Sequence, residues 1–234
     1  MSVLIILVVL ALFALIIVSA INHAQEKAQM RRLQQRKLRV QADSLFDMVA
    51  SLEQTIPNRV IIKHINDEAI TLLKRVLVLE TRARLHIQNS IYTAQIHSED
   101  LISGKAMLTP SYQKDSDALI NQTQLQITDT GKILRQLCAQ GTINEDELQS
   151  SLNELVWDFL MTGVISFIAQ GHKFMEQDNL LLAHNFYKKA QQLLIESAHA
   201  NPRRLRMIKE LGEIISGSRK KLSWDLMPEQ INPV

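Results

Sequence analysis

Nineteen consecutive residues from Val3 to Ile21, VLIILVVLALFALIIVSAI, contain one polar side chain, Ser19. A helix of a soluble protein keeps a polar face, and this segment has none. At 1.5 Å per residue it spans roughly 28 Å, the depth of a bilayer's hydrocarbon core. Fifteen of its positions are Val, Leu, Ile or Phe, which puts the insertion gain at roughly 4 to 9 kcal/mol. A transmembrane anchor is therefore expected over residues 1–22.

The flanks give it a direction. Lys27, Arg31, Arg32, Arg36, Lys37 and Arg39 follow the run, whereas Met1 and Ser2 precede it. The excess of cations after the span predicts a single-pass protein with its N-terminus outside and its body in the cytoplasm, a bacterial inner membrane being the fitting setting. A cleaved signal peptide is the rival reading, because Val18, Ser19 and Ala20 are small enough for a cleavage site. Against it stand the missing positive n-region and the length of the apolar core. The basic cluster also suits anionic headgroups at about 1 kcal/mol per charge, although setting topology explains it without that contact.

The rest of the chain favours helices. Five Pro, seven Gly and 5% aromatics in 234 residues supply few turn formers and few strand formers, so the expected fold class is all-α. Cys138 is the single cysteine, which excludes an intrachain disulfide. A formal net charge of +2 gives no ground for nucleic-acid binding.

Leu38, Ala42, Leu45, Val49, Leu52 and Ile56 recur at spacings of four and three, a heptad seam that ends at Pro57. Ile62, Ile65, Ala69, Leu72, Val76, Leu79 and Ala83 continue it on a second helix that runs to about Leu101, with Ile70, Leu73 and Leu77 widening its apolar face. Residues 23–102 thus read as a basic juxtamembrane segment and a long antiparallel hairpin. Gly104, then Thr109 and Pro110, predict a loop over 103–112. A polar helix over about Ser111 to Gln140 follows, closed by Gly141. Thr142 and Glu145 form a capping-box pattern that opens the next helix. That helix carries Leu148, Leu152, Leu155 and Phe159 on its seam. Its apolar stretch from Leu155 to Ala169 contains Asp158 and is short for a second span, so a core helix is expected. Residues 223–234 read as an extended tail in which Trp224 and Leu226 could dock on the body or on a partner.

From Phe167 to about Ile215 the spacing resembles a tetratricopeptide repeat. Phe167, Gly171 and Phe174 match the large, small, large positions of a first helix, and Ala183, Tyr187 and Ala190 match the small, aromatic, small positions of a second. Gln177, Asp178 and Asn179 make the turn between. Gln170 stands where the family has Leu, and Pro202 falls about two turns later than the family's terminal Pro. The likeness covers one and a half degenerate repeats, and an ordinary helical hairpin with small residues at its crossing would share it. The helices after the loop read as a bundle over 113–222 ending in this tetratricopeptide-like hairpin at 167–215. The resemblance implies a candidate protein-interaction groove lined by Ile165, Ile168, Ala169 and His172, to be filled by an apolar helix or by a neighbouring part of the same chain.

Chemistry is not encoded in any recognisable constellation. Asp129, Thr130, Gly131 and Lys132 suggest the end of a phosphate-binding loop, but Gln126 occupies the upstream glycine position. Glu196 with His199 is one Glu-x-x-His pair where a di-iron site needs two, and His64 with Glu68 reads as a one-turn contact. No catalytic residue, cofactor or metal ligand is assigned, and no enzyme is expected. The expected role is a membrane-anchored helical scaffold or adaptor that contacts lipid through its first helix and binds other proteins at the cytoplasmic face. Self-association is left open. A sensory or regulatory bundle is the alternative, and an enzyme with an unrecognised site the third.

Overall fold

Side-chain caps mark where most helices start. Ser116 Oγ accepts from Leu119 N, Asn144 Oδ1 from Glu147 N, Asn179 Oδ1 from Leu182 N and Asn201 Oδ1 from Arg203 N, each supplying an acceptor to a free first-turn donor. The computed structural model describes residues 2–80 and 83–227, with the side chains of residues 2–21 and Ala24 outside the described set. Those residues fold as α1 (Ser2–Glu53), α2 (Arg59–Leu79), α3 (Arg84–Ser103), α4 (Asp117–Ala139), α5 (Glu145–Glu176), α6 (Leu180–Glu196) and α7 (Pro202–Ile215), followed by a 3₁₀ turn at Trp224–Leu226. Among the described residues there is no strand, so the body is all-α. The side chains on which the transmembrane reading of residues 1–22 rests lie outside the described residues, as does the tail from Pro228 onward.

The chain divides into two compact units. The first comprises Met1–Leu45 and Asp67–Ile96. Within it Gln35 donates to Glu80, a pairing of positions equally far from the turn at Pro57, which is the register of an antiparallel hairpin. Ala42, Ala69, Leu72 and Val76 of the expected seams are buried here, as are Ile70 and Leu73 of the second stripe. The six basic residues after the apolar run, Lys27 to Arg39, are all exposed. A single helix from Pro57 to Leu101 was the expectation, but α2 stops at Leu79 and α3 starts at Arg84. Glu80 Oε1 accepts from Ala83 N, a local side-chain bond that competes with helix propagation. With neither Pro nor Gly nearby, the break has no punctuation in the sequence.

The second unit holds Phe46–Asn66 and His97–Val234. Its bend at residues 54–58 is tied down by several bonds. Ser111 N donates to Gln54 O at 3.0 Å, Asn58 donates to Glu154, and His64 pairs with Glu147 at 2.9 Å rather than with Glu68. Inside, α5 packs against α4 and α6, and α6 against α7. Val164, Ile165, Ile168, Tyr187, Leu194 and Met207 are fully buried in one cluster with Tyr112, Leu222, Leu226 and Met227. Among the described residues α5 alone is long and apolar enough to cross a membrane, and 56% of that apolar stretch is buried inside the protein. Asp158 sits in the middle of it. Phe159, expected on the seam, is partly exposed instead.

Two helix starts differ from the sequence reading. The helix expected from Ser111 begins at Asp117, because Tyr112 is drawn into the core and residues 111–114 run extended along α5. Ser166 Oγ donates to Tyr112 O at 3.0 Å and accepts from Lys114 N at 2.8 Å. The cap of α5 is Asn144 and not Thr142, since Ile143 turns inward and is buried. Gly141, the expected stop of α4, has φ +73° with no atom within 4 Å of where a Cβ would stand. Gly141→Ala is therefore expected to cost about 1 kcal/mol from backbone strain alone, read as a lower urea midpoint with an unchanged slope.

Candidate functional site

Along α5, Ser150, Asn153, Glu154, Trp157, Asp158 and Met161 recur at intervals of three and one, which sets all six on one face of the helix. That face forms one wall of a cleft of about 490 Å³. Pro110 and Tyr112 of the extended strap close one side. His199, Asn201, Arg203 and Met207, from the α6–α7 connection and the start of α7, form the opposite wall, and Leu226 completes the lining.

Each wall has its own fastening. Arg204 donates to the carbonyls of His199 and Leu194, at 2.9 Å each, and so ties the connection to the C-terminal end of α6. Glu210, buried in α7, accepts from Arg219 Nη1 at 2.6 Å, Ser223 N at 2.7 Å and Ser223 Oγ at 2.8 Å. These bonds fold the last segment back, so Leu226 is buried whereas Trp224 stays 68% exposed. Of the two side chains expected to dock on the body or on a partner, Leu226 docks on the body.

At the centre lies Asp158, 3% exposed. Tyr112 donates its hydroxyl proton to Asp158 Oδ1 at 2.6 Å, and Asp158 Oδ2 is buried with no hydrogen-bond partner in the protein. Burial pushes this carboxyl up to about 7; the Tyr112 bond works against that rise, and the nearby Glu154 charge adds to it. Trp157 and His199 approach with ring centroids 5.2 Å apart. His199 Nδ1 accepts from Asn201 N at 3.1 Å, so the ring proton lies on Nε2, which donates to Asn153 O at 3.1 Å. Both ring nitrogens are thereby committed to backbone groups.

The residues singled out from the sequence are placed elsewhere. Ile165 and Ile168 are fully buried in the core cluster, and Ala169 and His172 are half-buried. Of the two occupants expected for these positions, a neighbouring part of the same chain covers Ile165 and Ile168. His172 Nδ1 meets the Tyr187 hydroxyl at 2.8 Å, and burial lowers the affinity of His172 for a proton, with Lys221 adding to the effect and Glu176 opposing it. Gly171 lies against the Tyr187 ring at the α5–α6 crossing, where Ala183 and Ala190 are fully buried. Phe174 stacks on Phe186 at 5.4 Å and Phe167 lies 6.2 Å from it, with Lys189 Nζ over both the Phe167 and Phe186 rings. Residues 129–132 lie inside α4, where a helix spends its backbone N–H groups internally and has none to offer a phosphate. Among the described residues no three His, Cys, Asp or Glu side chains are grouped to hold a metal ion.

No sequence motif joins the cleft residues, because Tyr112, Asp158 and His199 are far apart in the chain. The one local signal was an Asp inside an apolar helix. Compared with protein-family models, with curated proteins and with solved structures, the chain has no match in any of the three.

Proposed function

We propose that the chain is a single-pass, membrane-tethered helical adaptor whose body binds other molecules at the cytoplasmic face. One observation carries the reading: a 19-residue apolar run opens a helix, Ser2–Glu53, in which six exposed cations follow within the next five turns. The C-terminal hairpin that resembles a tetratricopeptide repeat, with Gly171 seated on Tyr187, supports a binding role for the body. With the Ile165 and Ile168 surface closed, that role falls to other faces of the bundle.

A reporter enzyme that works only in the cytoplasm, fused after Val234, is expected to be active, and one that works only outside it to be silent. The opposite pattern would overturn the orientation and restore the signal-peptide reading. The adaptor role is tested by gentle detergent extraction, in which a defined protein should leave with the native chain and fail to leave with a chain lacking residues 103–227.

A further inference from the structure

The cleft beside Asp158 takes no lining residue from residues 1–22. A buried carboxylate that served only to anchor the strap would need a single acceptor, and Tyr112 already satisfies Oδ1. Asp158 is among the residues that line the cleft, and its buried Oδ2 has no protein donor, although leaving a buried acceptor unpaired is costly. A ligand that donates a proton there would remove that cost. A second carboxylate, Glu154, stands one turn away on the same face, and two aromatic rings, Trp157 and Tyr112, flank the position. Rings of this kind attract cations through their negative faces. Both ring nitrogens of His199 are taken by backbone groups, so its ring does not compete for Asp158. Arg203 is the one cationic side chain of the lining, and it is solvent-exposed at the cleft's rim.

We infer that this cleft is a binding site for a protonated amine, whose N–H groups pair with Asp158 Oδ2 and whose carbon chain lies against Trp157 and Met207. The amine can belong to a free small molecule or to a lysine side chain of a partner; the chemistry at Asp158 is the same. At about 490 Å³ the space accepts either.

The test uses the full chain in detergent with Trp224→Phe, which leaves Trp157 as the only indole reporter. The probes are 2-phenylethylamine, the neutral 2-phenylethanol, the anionic 3-phenylpropionate and a lysine blocked at both backbone ends. The amine should change Trp157 fluorescence saturably and bind at least tenfold more tightly than the alcohol, with the acid weakest. Saturation by 2-phenylethylamine alone assigns a free amine, and saturation by the blocked lysine assigns a partner's side chain. Equal binding of amine and alcohol, or no saturation by either amine, overturns the proposal. Asp158→Asn should lose at least tenfold in amine affinity while melting cooperatively. Should that variant not fold, the native chain still decides. The titratable groups facing Asp158 are Tyr112, Glu154, His199 and Arg203. Between pH 8 and pH 6 the ionised fraction of Asp158 falls about tenfold, and amine affinity should fall with it. A flat profile contradicts the assignment, as does one that survives in Asp158→Asn, because the titrating group would then be one other than Asp158.

Discussion

Gly171→Leu is expected to remove about 3 kcal/mol from the stability of the C-terminal bundle, near the upper end for overpacking a core. Even a single Cβ at this position would stand 2.5 Å from Tyr187 Cε1 and 2.8 Å from Cδ1. The Tyr187 ring has nowhere to move. It is fully buried, its hydroxyl is bonded to His172 Nδ1, and the two rings meet edge to face at 5.5 Å. Gly163 on the same helix provides the control. A Cβ there would meet Leu193 Cδ1 at 3.0 Å and Gln124 Nε2 at 3.2 Å, both ends of flexible side chains. Gly163→Ala should therefore be within about 0.5 kcal/mol of neutral once the gain of roughly 1 kcal/mol in helix propensity is counted. Urea denaturation of the two variants separates them; equal midpoints would mean that α5 and α6 do not cross through Gly171.

Asp158 should make the protein less stable as pH rises. Its carboxyl titrates at about 7 in the folded chain against 3.8 ordinarily, so between those values the folded state holds a proton that the unfolded state has released. The stabilisation is fully present below about pH 4 and is lost as pH climbs through 7, a difference on the order of 4 kcal/mol. Most of it falls between pH 5 and pH 8. Asp158→Asn should flatten this slope and be the more stable form at pH 8. Urea midpoints across that range decide it, and parallel profiles for the two proteins would show that Asp158 is not buried as described. A bound amine should flatten the native profile as well, because it stabilises the ionised carboxylate.

Local grammar made much of the architecture readable. The stops at Gly104 and Gly141 appear as glycines at φ +75° and +73°, which is the backbone that ends a helix and that other residues resist. Val49, Leu52, Ile56, Ile62 and Ile65, read from heptad spacing, are buried. The small and aromatic residues read from Phe167 to Ala190 meet at one helix crossing, because spacing along a helix fixes which side chains share a face. What could not be read depends on distant partners. Nothing near Tyr112 says that its hydroxyl will meet a carboxylate 46 positions later, and that meeting delays the start of α4 by six residues. The break after Leu79 rests on one Glu80 side chain bonding to Ala83 N, a choice that helix propensity alone does not favour. Ile165 and Ile168 carry the apolar character expected of a groove, yet apolar residues on a helix serve a core equally well. Only the packing of Leu222, Leu226 and Met227 into the same cluster distinguishes the two.

The proposed tether is tested most directly by fractionation. The full chain should sediment with membranes and resist extraction by alkaline carbonate, whereas a chain beginning at His23 should be released into the supernatant as a folded helical protein. Release of the full chain by carbonate, or retention of the shortened one in the membrane, would contradict an anchor in residues 1–22.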